Sequence, residues 1–266
     1  MSIEESLQGQ VAWVTGGGSG IGLAGAIELA KAGCRVIVSG RAADKLDAAI
    51  AAAVAQGVAA DAISAAPLDV SDPASVARVA RSIESAHGGV DILVNSAGVN
   101  FPKRHWSETD AATFEKVVSI NLNGAAYCTL AVVQGMQARR RGTVINVASF
   151  AGWHLSYLTG PAYTASKAGM MALTHSFNIE ECVHGLRATA LCPGEAATPI
   201  LKNRPVEPSA QEKARMLQEE DLGRTIRFIA EMPPHVCINE LVISPVWNRI
   251  YIGGDDIRRP GTGGFT

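Results

Sequence analysis

Cysteines, aromatic residues and excess charge are scarce in this chain of 266 residues, and each shortage removes a class of function. The five cysteines, Cys34, Cys128, Cys182, Cys192 and Cys237, are an odd number with no Cys-x-x-Cys pair among them. That pattern gives neither a disulfide framework nor a sulfur-ligated metal site, and it reads as buried thiols in a reducing cytoplasm. The six histidines include no pair four residues apart joined to a glutamate, so no metal is expected. A formal net charge of -2, with no basic run interleaved with aromatics, gives no footprint for nucleic acid. The opening "MSIEESLQGQ" is polar and acidic, unlike a secretion signal. No apolar run reaches the ~18 residues of a membrane span, so no membrane partner is expected either.

What the chain has in quantity is apolar residues, 47% of the total, enough for one sizeable core. They fall into short β-branched runs alternating with longer stretches of helical period: "QVAWVTG" then 20–32, "CRVIVSG" then 42–56, "DAISAAPLDV" then 73–87, and "VDILVNSAG" then 107–138. "GTVINVAS" then 161–182, and "RATALCPG" before a helical stretch near 209–231, continue the series. Strands joined by crossover helices imply an α/β fold with a doubly wound parallel sheet, and strands apolar on both faces fit one covered on both sides. One domain over 1–246 is expected, followed by a Gly- and Pro-containing tail, 247–266, either extended or set against a neighbouring subunit.

Ligands of such sheets bind beyond the carboxyl ends of the strands. After the first strand comes "TGGGSGIG", leading directly into an amphipathic helix. Its glycines let the backbone approach a pyrophosphate, whose charge suits the free N–H groups at the helix start. Thr15, Gly16, Gly18, Ser19, Gly20, Ile21 and Gly22 are therefore candidate cofactor residues, the alternative being a turn that serves packing alone. No Gly-Lys-Ser/Thr follows, which excludes a nucleoside triphosphatase loop. Where an acidic residue would select a free ribose diol, the second strand ends in Gly40 and Arg41. A guanidinium there suits a 2'-phosphate, which makes NADP(H) the favoured cofactor over NAD(H), against the reading of Arg41 as a solvated charge.

The stretch "PAYTASKAG" places Tyr163 and Lys167 four residues apart, on one face of a helix. With four tyrosines and seven lysines in the chain, such a pair arises by accident about 0.1 times. Tyr127, Tyr157 and Tyr251 have Ala131, Pro161 and Asp255 at that spacing. A phenol of pKa ~10 is a poor base, and lowering it to about 7 takes roughly 4 kcal/mol from nearby cations. Tyr163 could then exchange a proton with a carbonyl or alcohol oxygen.

At this point the chain clearly resembles the short-chain dehydrogenase/reductase family, from about residue 9 to about residue 245. The motifs are Thr15-Gly16 with Gly20 and Gly22, Asn95 with Ala97-Gly98, Asn121, Ser149, Tyr163 with Lys167, and Pro193-Gly194 with Thr198. The resemblance implies a Rossmann-type sheet of about seven strands and an oxidoreductase moving a hydride between a nicotinamide cofactor and a secondary alcohol or ketone. It implies that Ser149 binds the substrate oxygen, that Tyr163 is the acid/base, and that Lys167 depresses the tyrosine pKa and binds the nicotinamide ribose. Asn121 would hold a proton-relay water. Asp69 and Val70 would flank the adenine, Asn95 to Gly98 would line the cofactor trough, and the backbone after Pro193, with Gly194 and Thr198, would fix the carboxamide. Family members are commonly dimers or tetramers built on the helices 107–138 and 161–182, which implies a homo-oligomer here.

Each residue has a plainer reading: a capped strand end at Ser149, a polar helix position at Asn121, a solvated Lys167. Substrate choice is expected from the loops 99–106, 150–161 and 195–209, with Trp153 and His154 bordering the pocket. The third loop is a candidate lid. Arg139, Arg140 and Arg141 could attract an anionic partner, although a solvated cluster at a helix C-terminus explains them. The segment "EMPPHVCINELVISPV" resembles the branch of NADP-dependent 3-hydroxy-acid and short-chain alcohol dehydrogenases, which favours a small-molecule alcohol or hydroxy acid. A 3-ketoacyl-thioester reductase, or a catalytically silent dinucleotide-binding regulator, is the alternative.

Overall fold

The computed structural model describes residues 7–253. Seven strands form one parallel sheet in the order β3-β2-β1-β4-β5-β6-β7. They are β1 Val11–Thr15, β2 Arg35–Ser39, β3 Ile63–Ala65, β4 Ile92–Asn95, β5 Gly142–Val147, β6 Leu186–Pro193 and β7 Glu240–Ile243. Because all pairs are parallel, every strand ends at the same edge, and the order reverses between β1 and β4, where the crevice lies. Register is in step across the centre: Thr15 pairs with Ser39 on one side and Asn95 on the other, and Asn95 with Asn146.

Alternate residues of each strand serve opposite cores. Ala12 and Val14 face one core with Val36, Val38, Ile27 and Leu29, closed by Ile226 and Ile229. Val11 and Trp13 face the other, with Leu93, Val144, Val79, Ile83, Val132 and Met136. The first core packs under α1 Gly20–Lys31, α2 Ala43–Ala55 and α9 Glu219–Ala230, the second under α3 Pro73–His87 and α5 Gly124–Arg139. Trp13, fully buried, donates its Nε1–H to Ser39 Oγ at 2.9 Å, and Ser39 donates onward to the Ala66 carbonyl at 2.7 Å, so the largest core side chain leaves no polar atom stranded. Local signals mark helix ends: α3 begins at Asp72, which accepts from Ala74 N–H, has Pro73 in its first turn, and stops at left-handed Gly88.

The helix α4 Ala111–Val118 continues into α5 through a π-helical turn, Ser119–Asn123. One 18-residue window within the stretch Ala111–Arg139 reaches a mean hydropathy of 1.3, enough for a membrane span by length and composition only, although polar and charged residues interrupt it. In the fold, its α5 part packs Cys128, Val132 and Met136 into the second core. The remaining helices are the one-turn α6 Phe150–Trp153, the long α7 Pro161–Glu181, and the short α8 Ala210–Lys213 and α10 Arg249–Ile252.

Two sequence expectations need correction. Arg139 and Arg141 are not a free cationic patch. Arg139 donates to the Gly88 and Val90 carbonyls, and Arg141 Nε lies 3.1 Å from Asp91, whose other oxygen accepts Val11 N–H at 3.0 Å. Together they close the edge of the sheet opposite the crevice. The start of the supposed extended tail is also folded: Arg249 is buried and bonded to Glu195 and Glu212, and Trp247 lies under Arg215 at 5.0 Å. Positions 254–266 of the expected tail lie outside the described residues. Asp91→Ala should cost about 2 kcal/mol in urea unfolding by stranding the Val11 N–H, whereas Arg141→Ala, at an exposed side chain, should cost under about 1 kcal/mol.

Candidate active site

The carboxyl ends of β1, β4, β5 and β6 open onto a cavity of about 480 Å³. This is within the range that holds small ligands and cofactors. One end is lined by Gly16, Ser19, Gly20 and Ile21, the middle by Ser96, Gly98 and Val99, and the far end by Ser149, Tyr163, Lys167 and Arg104. Pro193, Gly194 and Thr198 line it as well.

The glycine turn is tight for a steric reason. Gly16 has φ +67°, and a Cβ on Gly22 would stand 2.4 Å from the Gly16 carbonyl oxygen, so a side chain at either position would break the turn. The turn is braced from the next strand: Thr15 Oγ1 donates to the Val94 carbonyl and accepts from Ser96 and Ala97 N–H. Thr15 and Ala97 thus shape the cradle without lining it, and so do Gly18 and Gly22. The cradle that only glycine permits, at a helix start beyond a parallel strand, fits a dinucleotide pyrophosphate.

Asn95 is placed differently from the sequence expectation. Its amide donates inward to Asn146 Oδ1 at 2.9 Å, and Asn146 donates to Thr174 at 2.9 Å. It ties β4 to β5 and α7 beneath the site and does not line the trough. Asp69 sits at the end of the β3 segment, where hydrogen bonds from the Ser71 hydroxyl and backbone, with Arg41 nearby, hold its carboxyl below the ordinary range. Val70 is buried against Gly124. Gly40 and Arg41 lie at the end of β2 and outside the cavity lining, whereas Lys45, in the first turn of α2, lines it beside Ser19. Sequence reasoning missed Lys45; its signal was a second cation one helical turn after Arg41.

At the catalytic end, Tyr163 and Lys167 stand one turn apart on α7, as their spacing requires, with Lys167 Nζ 5.7 Å from the tyrosine ring centre. Lys167 is 4% exposed and donates to the Val147 carbonyl, the last of β5, at 2.6 Å. Burial pulls its pKa down to about 8. The Ser149 hydroxyl faces the Tyr163 phenol and favours its ionised form. Burial raises the phenol above its ordinary pKa, opposed by that hydroxyl and then by Arg204 and Arg104. In the protein alone, Arg204 and Arg104 act on the phenol from two loops, and the Lys167 ammonium lies 5.7 Å from the centre of its ring. Ser149 also caps α6, accepting Ala151 N–H at 3.1 Å. Asn121 lies in the π-helical turn, fully buried, and exchanges both amide groups with the Val99 backbone at 2.8 and 3.0 Å. Its Nδ2 also reaches Ser166, which donates to the Tyr163 carbonyl.

Trp153 and His154 are not brought to the cavity. The Ser149 cap starts a single helical turn that carries Trp153, 48% exposed, and His154 to the outer edge of the Phe150 ring. From this segment the wall is made instead by Phe150, Ala151, Ser156, Leu158 and Thr159. Ile250, in the docked C-terminal turn, also lines the cavity and belonged to no sequence motif.

A family model described as short chain dehydrogenase matches residues 10–208. An uncharacterized oxidoreductase of Staphylococcus aureus strain N315 is 30% identical over 240 residues, covering 90% of this chain and 99% of its own. A metagenomic short-chain oxidoreductase solved in complex with NADP is similar at a TM-score of 0.76 and 30% identity, over 90% of this chain and 97% of its own. The closed form of a serine dehydrogenase complexed with NADP+ is similar at a TM-score of 0.79 and 27% identity, over 89% and 95% of the two chains.

The pKa directions carry two expected outcomes. Above pH 10.5 the Lys167 amine is neutral in folded and unfolded chains alike and burial costs nothing; below about pH 8 it is charged in both, and the full penalty applies. The stability of Lys167→Met relative to wild type should therefore rise as pH falls from 10.5 to 8 and then level off, and a flat difference in urea unfolding across that window would contradict this. In an ultraviolet titration of the cofactor-free protein, the tyrosinate signal lost in Tyr163→Phe should appear later than that of a free phenol.

Proposed function

The chain belongs to the short chain dehydrogenase family and is a nicotinamide-dependent oxidoreductase, and on that premise we propose that it interconverts a secondary alcohol, hydroxy acids included, and its ketone with NADP(H) in preference to NAD(H). The carrying observation is the meeting of Ser149, Tyr163 and Lys167 at one end of the cavity whose other end is the glycine cradle. When bound, the nicotinamide supplies or accepts the hydride.

The chain's own residues handle the proton and the oxygen. In the reducing direction, Tyr163, kept protonated by burial, donates its proton to the substrate oxygen. Ser149, beside that phenol, offers its hydroxyl to the same oxygen and stabilises the charge that develops there. Lys167, depressed to about 8, stands one turn behind as the group able to restore the proton near neutral pH. In the oxidising direction the same path runs backwards, and Arg204 and Arg104 ease the phenolate. Asn121 fixes Val99 in the cavity wall and, through Ser166, the backbone of Tyr163.

For the cofactor, Arg41 after β2 and Lys45, which lines the cavity from the first turn of α2, would be the cations to hold a 2'-phosphate, and no carboxylate takes the diol-binding position at the end of β2. The NADP bound to two of the similar structures agrees with this preference. The exposed apolar residues Leu130 on α5 and Leu173 and Ile179 on α7 support pairing of these helices between copies, as a dimer or tetramer. Five unpaired cysteines support a reducing cytoplasm as its location.

A screen of secondary alcohols and ketones by nicotinamide absorbance, with both cofactors, tests the reading. Tyr163→Phe should lower kcat by about 10²- to 10⁴-fold while NADPH still binds, and turnover at the wild-type rate would refute the mechanism. Arg41→Ala and Lys45→Ala should each weaken NADPH by roughly tenfold and leave NADH unchanged, as read by fluorescence titration.

A further inference from the structure

One cation of the cavity has hydrogen-bond donors to spare beyond its effect on the Tyr163 phenol. Arg104, from the 99–106 loop, lines the cavity beside Tyr163 and is 6% exposed. Its Nε–H donates to the Phe101 carbonyl at 2.8 Å, Nη1 reaches the Leu158 carbonyl at 3.5 Å, and Nη2 donates to the Asn203 carbonyl. A guanidinium carries five N–H groups, so one on each Nη remains beyond these acceptors.

Arg187, buried away from the cavity, also lacks a carboxylate, but four of its N–H groups go to the Thr143 hydroxyl and the Pro233, Val236 and Ala230 carbonyls. The other guanidiniums near the cavity are matched by acids. Glu195 receives Arg204 at 2.8 Å and Arg249 at 2.9 Å, and Arg249 also meets Glu212 at 2.5 Å. Arg104 has no carboxylate partner among the described residues, and exposed Glu108 acts on it only through space. Desolvation accordingly pulls its pKa down to about 10. A buried charge without a counter-charge is costly, and carbonyl dipoles answer it only in part.

We propose that Arg104 receives an anionic group of the substrate, so that the cavity takes a secondary alcohol or ketone bearing a carboxylate in preference to its neutral counterpart. This rests on the oxidoreductase reading above and names the substrate class of that same site. The three carbonyls come from three different loops, 99–106, 150–161 and 195–209, and they hold the fork in one orientation before the ligand arrives. A fork fixed in this way suits the planar, two-oxygen geometry of a carboxylate better than a flexible ammonium would. The carboxylate would also supply the negative charge that the cavity wall lacks.

The same three bonds describe a purely mechanical clasp, so the test must separate charge recognition from loop integrity. Short 2-, 3- and 4-hydroxy acids and their methyl esters are compared as substrates of the NADP-loaded wild type, Arg104→Gln and Arg104→Lys, by the ratio of kcat/KM for acid over ester. The wild type should favour an acid, Arg104→Gln should lower that ratio by about 100-fold, and Arg104→Lys should recover part of it. A clasp alone would depress acid and ester together and leave the ratio unchanged; that result, or a wild-type preference for the esters, would overturn the proposal. Should the wild type turn over neither, the reading of short hydroxy acids as substrates fails by itself. Calorimetric titration of the same acids and esters into the NADP-loaded protein then decides this one: tighter binding of acids that Arg104→Gln abolishes upholds it, and equal binding defeats it.

Discussion

A buried ammonium must be answered by oxygen, and at Lys167 the answer is the carbonyl of Val147, where β5 ends. Nearly everything at the crevice follows from that contact. It seats α7 over the end of β5, which brings Tyr163 to Ser149 two residues beyond the strand. It requires α6 to lie close against α7, where a Cβ on Gly152 would stand 2.7 Å from the Lys167 carbonyl. Beneath it, the Asn95–Asn146–Thr174 chain of amides and hydroxyl ties the two central strands to the same helix, so the lysine stands on a rigid base.

The parts legible in the sequence were those governed by period and backbone chemistry. Strands buried on both faces are apolar throughout, so β1, β2, β4, β5 and β6 announced themselves, and the order of strand and helix implied a parallel sheet. The short β3 fell inside a longer apolar segment, because only Ile63–Ala65 finds a partner in β2. The Tyr163–Lys167 pair was visible because helical spacing alone fixes which residues share a face. The glycine turn was visible because its steric demand leaves no other residue.

What remained hidden depends on side chains meeting across loops. Trp153 and His154 looked like pocket residues because they lie between Ser149 and Tyr163 in sequence, but a serine cap turns them outward over Phe150. Arg104 and Ile250 looked like ordinary loop and tail residues, and only folding sets them at the same cavity from positions nearly 150 residues apart. The partners of Arg139 and Arg141 were equally out of reach, since Asp91 and the Gly88–Val90 carbonyls come from a distant turn. The pKa of Tyr163 belongs with these, since Arg204 and Arg104, which act on it, come from two separate loops.

The π-helical turn at Ser119–Asn123 has a consequence for how this chain could change over time. Such a turn accommodates one residue more than an α-helix of the same rise, so the segment Ala111–Arg139 is an α-helix with a single residue inserted. Deleting that residue would restore a regular helix and swing one half by about 100° relative to the other. The apolar face of α5 and the placement of Asn121 cannot both survive that rotation. The residue count of this one helix is thus locked to the geometry of the site, because Asn121 within the turn holds Val99 in the cavity wall.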